Sequence, residues 1–192
     1  VGTAPNIDIE SVYYSQNNLL EKLSADLVEG KQAQTDLFFI GFAGDADEDV
    51  FMNEAIAAQE IVKNYFDAYG RSMILINNSN TVDNIPLANE HNLKYSINKV
   101  GKLMNKEEDI LFLFLTSHGS EDHFLSANFP PFKLNNINAG HIKQALDNSG
   151  IKWRIIIISA CYSGGFIEPL AGPSTLLITA ASAERNSFGC GH

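Results

Sequence analysis

The stretch Arg154-Ile-Ile-Ile-Ile-Ser-Ala-Cys161-Tyr-Ser-Gly-Gly165 narrows the possible folds more than any other. Four consecutive isoleucines cannot alternate between core and solvent, so they predict a strand buried on both faces. Strands of that kind belong to parallel sheets covered by helices. The run then meets small residues, a thiol and two glycines, which permit a tight turn and close backbone approach. A second run, Ile110-Leu-Phe-Leu-Phe-Leu-Thr-Ser-His118-Gly119, has the same form and ends on a His. Two core strands therefore deliver a His and a Cys to one edge of one sheet. In open α/β sheets that carboxyl edge is where ligands and chemistry sit.

The rest of the chain alternates strand with helix. Residues 1–10 read as a loose lead-in. Leu19, Leu20, Leu23 and Leu27 recur at helical spacing, which predicts a helix over about 17–27. Residues 36–42 read as the first core strand and 50–69 as a helix stopped by Gly70. A strand over 71–77 and a helix over 89–104 lead into the His118 strand. Pro130 and Pro131 keep 120–136 irregular. Asn138 is placed to cap a helix that Gly150 closes, and 174–180 read as a fifth strand. This is α/β with a mainly parallel sheet. Residues 1–35 are a lead-in and helix, and 36–192 are one domain.

Composition excludes some functions. The net charge is −10 with no cluster of Lys or Arg, so a nucleic-acid backbone is not an expected partner. The apolar runs are of strand length, short of the roughly 20 residues of a membrane span. Two cysteines make no disulfide framework and leave the redox compartment open. The chain opens on Val1 rather than Met, which leaves room for an export signal or membrane anchor upstream.

A thiol is a strong nucleophile only as thiolate, and a neighbouring imidazole can take its proton. Taken singly, Cys161 reads as an inert buried residue and His118 as a structural His. Together, both just past strand ends and both beside glycines, they read as a nucleophile and its acid/base partner. The N–H groups of Gly119 and Cys161 are candidate donors to an oxyanion. His91 and His141 sit near helix starts and read as surface residues. His118 and His123 are five apart with Glu121 and Asp122 between, which is not the helical two-His zinc pattern, so neither a metal nor an organic cofactor is expected. Ser163 lacks the G-x-S-x-G elbow, because position 161 is Cys. Cys190 reads as a structural thiol. Asp45, Asp47, Glu48 and Asp49 form either a solvated face or a border of the site.

Ser117-His118-Gly119 after one apolar strand, and Ser159-Ala160-Cys161-Tyr-Ser-Gly-Gly after another, resemble the legumain family of cysteine peptidases, peptidase family C13. Residues 179–190 look like that family's segment downstream of the nucleophile, and 38–49 occupy the place of its first strand and loop. The resemblance covers about 36–190 and looks closer to bacterial members than to animal or plant enzymes. It implies a caspase-like three-layer sandwich with helices on both faces of the sheet and the first strand beside the third. It also implies His118 as the catalytic His, Cys161 as the nucleophile and Gly119 as the oxyanion glycine. Ser117, Ser159, Asp47, Asp49, Asn186 and Ser187 would line the substrate pocket.

The chain departs from legumains in that pocket. Ser117 stands where they have Asp, Ser159 where they have Glu, and Asp47 and Asp49 where they carry Asn and Arg. Carboxylates in place of an Arg suit a cationic P1 side chain better than Asn or Asp. The expected function is cysteine endopeptidase acting on a peptide or protein substrate. Two alternatives stand beside it: a transpeptidase in which an amine resolves the same acyl-enzyme, and a caspase-like domain that binds without turnover. The family continues past the position of His192, so the domain is expected to be incomplete at that end. The likeness to bacterial members, some anchored by upstream segments, favours an extracytoplasmic or membrane-anchored setting.

Overall fold

The computed structural model describes residues 7–187. Helix α1 (Ile9–Ala25) leads into strand β1 (Leu37–Ala43), followed by α2 (Asp49–Phe66), β2 (Ser72–Ile76), α3 (Glu90–Leu103) and β3 (Ile110–Thr116). A short ribbon of β4 (Phe124–Leu125) and β5 (Ile137–Asn138) precedes α4 (Ala139–Ser149), β6 (Trp153–Ser159), a 3-10 turn (Ser163–Phe166), α5 (Ile167–Leu170) and β7 (Thr175–Thr179). The main sheet has five strands in the order β2-β1-β3-β6-β7, every pair parallel. It is the caspase-like α/β architecture, with β1 beside β3.

One face of the sheet presents Phe38, Ile40 and Phe42, then Leu111, Leu113 and Leu115, then Ile156 and Ile158, all fully buried. Leu20 of α1, Leu93, Ile97 and Val100 of α3, Ile142 and Leu146 of α4 and Leu170 of α5 pack on them in one cluster. The opposite face is covered by α2, whose Phe51, Ala55 and Val62 lie over β1 and β2. Beyond β3 that cover stops. Ile155 and Ile157 are partly exposed, and Leu176 and Ile178 on β7 are 56% and 47% exposed. The isoleucine strand is thus buried on one face and half-covered on the other. No helix among the described residues lies over its second face.

Caps account for several helix starts. Asp8, Asn89 and Asn138 each accept an N–H three residues on, and His141 completes a capping box on Asn138. Such caps stabilise by about 1 kcal/mol each. Gly150 ends α4 in the left-handed conformation, as the sequence predicts. Helix α2 stops earlier than expected. Asp67, with φ 52, takes the left-handed stop, and Gly70 serves the turn into β2. Asp tolerates that region better than most residues, so the glycine is not needed for it. Cys190 lies outside the described residues.

Candidate active site

Thr116 at the end of β3 pairs with Ser159 at the end of β6. His118 and Cys161 each stand two residues further on, so the register of two parallel strands delivers both to the same end of the sheet. The connection is continued by a backbone bond, Ser117 N–H to the Ser159 carbonyl at 3.2 Å. Gly119 then presses on Cys161, and a Cβ on Gly119 would overlap the Cys161 carbonyl. Glycine is required here by close approach, since its φ is not in the left-handed region.

The His118 side chain is 44% exposed, and its Nε2 lies 3.2 Å from Oε1 of Glu48. Its ring packs edge-on against Phe51 at 4.9 Å between centroids. Glu48 is the N-cap residue of α2, yet its side chain makes no capping bond. The carboxylate faces the imidazole instead. Cys161 is buried, and the Ser187 N–H points at its Sγ at 3.3 Å.

The turn after Cys161 is held from two sides. Tyr162, with φ 55, donates its N–H to the Arg185 carbonyl at 2.9 Å. Its own carbonyl lies 3.1 Å from His123 Nδ1. Its phenol donates to Glu121 at 3.1 Å, and that bond holds the phenol above its ordinary pKa. A Cβ on Gly165 would run into the His123 ring, and one on Gly164 into the backbone of Ser182 and Ala183. The His118–Leu125 connection and the loop 181–187 thus both close on the turn that carries Cys161.

A family model for the peptidase C13 family matches residues 80–192. The chain belongs to the peptidase C13 family. This is a family of cysteine peptidases, and both strand ends described above fall inside the match. No curated protein matches the chain significantly.

The other pocket residues expected of a C13 peptidase are placed as follows. Ser117 is buried, and its hydroxyl donates to the Ser126 carbonyl at 2.7 Å. Ser159 is partly buried beside it at the β6 end. Asp47 and Asp49 are exposed on either side of Glu48. Asp47 accepts from Asn128 Nδ2 at 2.9 Å and Asp49 from Asn78 Nδ2 at 2.7 Å. Ser187 touches Cys161, and Asn186 next to it is exposed. Asp45, read only as part of an acidic run, is buried and accepts from Ser126 Oγ at 2.9 Å and Asp47 N–H at 3.0 Å. It ties the loop after β1 to the His118–Leu125 connection and its continuation. No group of three metal-binding side chains occurs among the described residues. A cavity of about 570 Å³ between α1 and the start of α3, lined by Tyr13, Gln16, Glu90, Lys94 and Lys133, includes none of these residues.

Glu48 was hidden by its company. In a run of four acids, nothing in the sequence marks one as facing a His. The available signal was position: it immediately precedes the α2 pattern, after a strand whose neighbour ends on His118. The sequence around His123 suggests at most a metal ligand, whereas its ring meets the Cys161 turn.

Proposed function

We propose that this C13 peptidase is an endopeptidase in which His118 and Cys161 form the catalytic dyad. The observation that carries the reading is the β3–β6 register, which brings out the two residues at matched positions beside Gly119. The Cys161 thiolate attacks the scissile carbonyl carbon. The developing oxyanion is met by the N–H groups of Gly119 and Cys161. Glu48 beside Nε2 favours the tautomer with its proton there, which leaves Nδ1 to exchange a proton with the thiol. The tetrahedral adduct collapses to a thioester as His118 protonates the leaving amine. Water, deprotonated by His118, then cleaves the thioester and returns the free thiol and a carboxylic acid. Asp47, Glu48 and Asp49 at this edge support a cationic P1 side chain, Lys or Arg.

The test is a mixed-P1 fluorogenic peptide library, using the parent chain and Cys161→Ala. Cleavage that is absent in Cys161→Ala and strongest after Lys or Arg is expected. Cleavage that survives in Cys161→Ala overturns the dyad. Cleavage only after Asn overturns the P1 reading. Ligated product formed on adding an amine nucleophile identifies a transpeptidase.

A further inference from the structure

We propose that His123 is a positioning residue whose imidazole locks the turn after Cys161 to the connection that carries His118 and Gly119. The inference rests on the peptidase reading above and adds a residue to it. A carbonyl oxygen only accepts, so the 3.1 Å approach of Nδ1 to the Tyr162 carbonyl places the ring proton on Nδ1. The same carbonyl accepts the Gly165 N–H at 3.2 Å. The ring lies where a side chain at 165 would be, so Gly165 is what admits it.

The two bonded residues share an unusual backbone. His123 has φ 59 and Tyr162 has φ 55, both in the left-handed region that non-glycine residues avoid. Such conformations persist where surrounding contacts over-determine them, and they concentrate at functional sites. Here each is tied in the same place: His123 N–H donates to the Ser120 carbonyl at 2.9 Å, and Tyr162 N–H to the Arg185 carbonyl. The His123–Tyr162 bond joins the two. The second link across the same gap, Tyr162 hydroxyl to Glu121, is exposed and competes with water. The imidazole is therefore the firmer tie between the two strand-end loops. It acts through the placement of Cys161 against Gly119 and His118, so its loss falls on kcat rather than KM.

The experiment compares His123→Ala, His123→Asn and His123→Gln. Asn carries an amide N–H where Nδ1 stands and tolerates the left-handed backbone. Gln carries its amide one bond further out. His123→Ala should lower kcat about 10- to 100-fold with KM within about twofold. His123→Asn should stay within about threefold of the parent, and His123→Gln should behave like Ala. In parallel, the rate at which iodoacetamide alkylates Cys161 is read by mass spectrometry, which requires no peptide substrate. It should slow several-fold in His123→Ala and recover in His123→Asn. Parental kcat and alkylation in His123→Ala, or equal losses in Asn and Ala variants that melt like the parent, overturn the proposal. A parent that cleaves no peptide sinks the peptidase reading alone, and the alkylation series then decides His123. If the Ala variant does not fold, equal alkylation rates in the Asn and Gln variants overturn the proposal.

Discussion

Gly119 lies against the backbone of Cys161 so closely that a Cβ on it would overlap the Cys161 carbonyl oxygen. The neighbour it would strike is backbone, held by parallel pairing from Ile110↔Trp153 to Thr116↔Ser159. Neither partner can rotate out of the way, so a methyl group must push the two strand ends apart. Gly119→Ala is therefore expected to lower kcat/KM about 100-fold or more, since displacements of this size disrupt a reacting geometry. Cleavage kinetics check this, with circular dichroism to show that the sheet survives. Near-parental activity would mean that the Gly119 peptide takes no part in the site.

Glu48 makes a different kind of contribution. Its side chain is 58% exposed and makes no capping hydrogen bond on α2, so α2 loses no hydrogen bond when it is removed. What it supplies is a carboxylate at 3.2 Å from His118 Nε2. Glu48→Ala should leave the melting temperature unchanged and lower kcat about three- to tenfold, the modest size following from solvent screening. Glu48→Gln, which keeps an oxygen for Nε2–H, should fall less. The parent's advantage over the Ala variant should shrink as salt is raised. A shift in melting temperature with no change in kcat would assign Glu48 to α2 instead.

What could be read in the sequence was whatever depends on neighbours along the chain. The runs 110–116 and 153–159 break the period of two, and the His and Cys that follow them are visible as strand-end residues. Ile155 and Ile157 are less buried than the isoleucine run predicts, because such a run does not say how far α2 reaches across the sheet. Helix α1 starts at Ile9, earlier than the leucine spacing predicts, for another reason. Gln16 occupies its buried face, accepting from Leu87 N–H at 2.8 Å and Asn92 Nδ2 at 2.9 Å. A polar residue with buried partners breaks the apolar pattern that marks a helix. Glu48, His123 and Asp45 act across loops, and spacing along the chain carries no trace of which loop closes on which.

Asp45 is the stability element of the site. Its carboxylate is buried and takes hydrogen bonds from Ser126 Oγ and Asp47 N–H, with Asn128 Nδ2 at 3.3 Å. Asp45→Ala leaves those donors without their acceptor, a loss of about 1–3 kcal/mol. Urea unfolding should show the midpoint falling with an unchanged slope. Activity should fall with it, because the Ser126 N–H also bonds the His118 carbonyl at 2.9 Å. A variant as stable as the parent would show that water replaces the carboxylate at no cost.

Glu90 gives the fold a pH dependence whose sign can be worked out. Lys94 Nζ donates to its Oε1 at 2.5 Å one turn along α3, and His141 Nδ1 lies 3.9 Å from its Oε2. The Lys94 bond, and after it the charge of His141, hold the Glu90 carboxyl below its ordinary value against the opposing effect of burial. A lowered carboxyl contributes stability in full above its unfolded value, about 4.3, and loses it as pH falls through the lower folded value. Glu90 also sits in the first turn of α3, where a negative charge is favoured by the positive end of the helix dipole. Glu90→Gln should therefore cost about 0.3–0.5 kcal/mol near neutral pH. The difference should vanish in acid well below the ordinary carboxyl range, where the parent's Glu90 is protonated as well. Urea midpoints of parent and variant across that span measure it. A gap that persists or widens in acid would show that the side chain matters for packing rather than for charge.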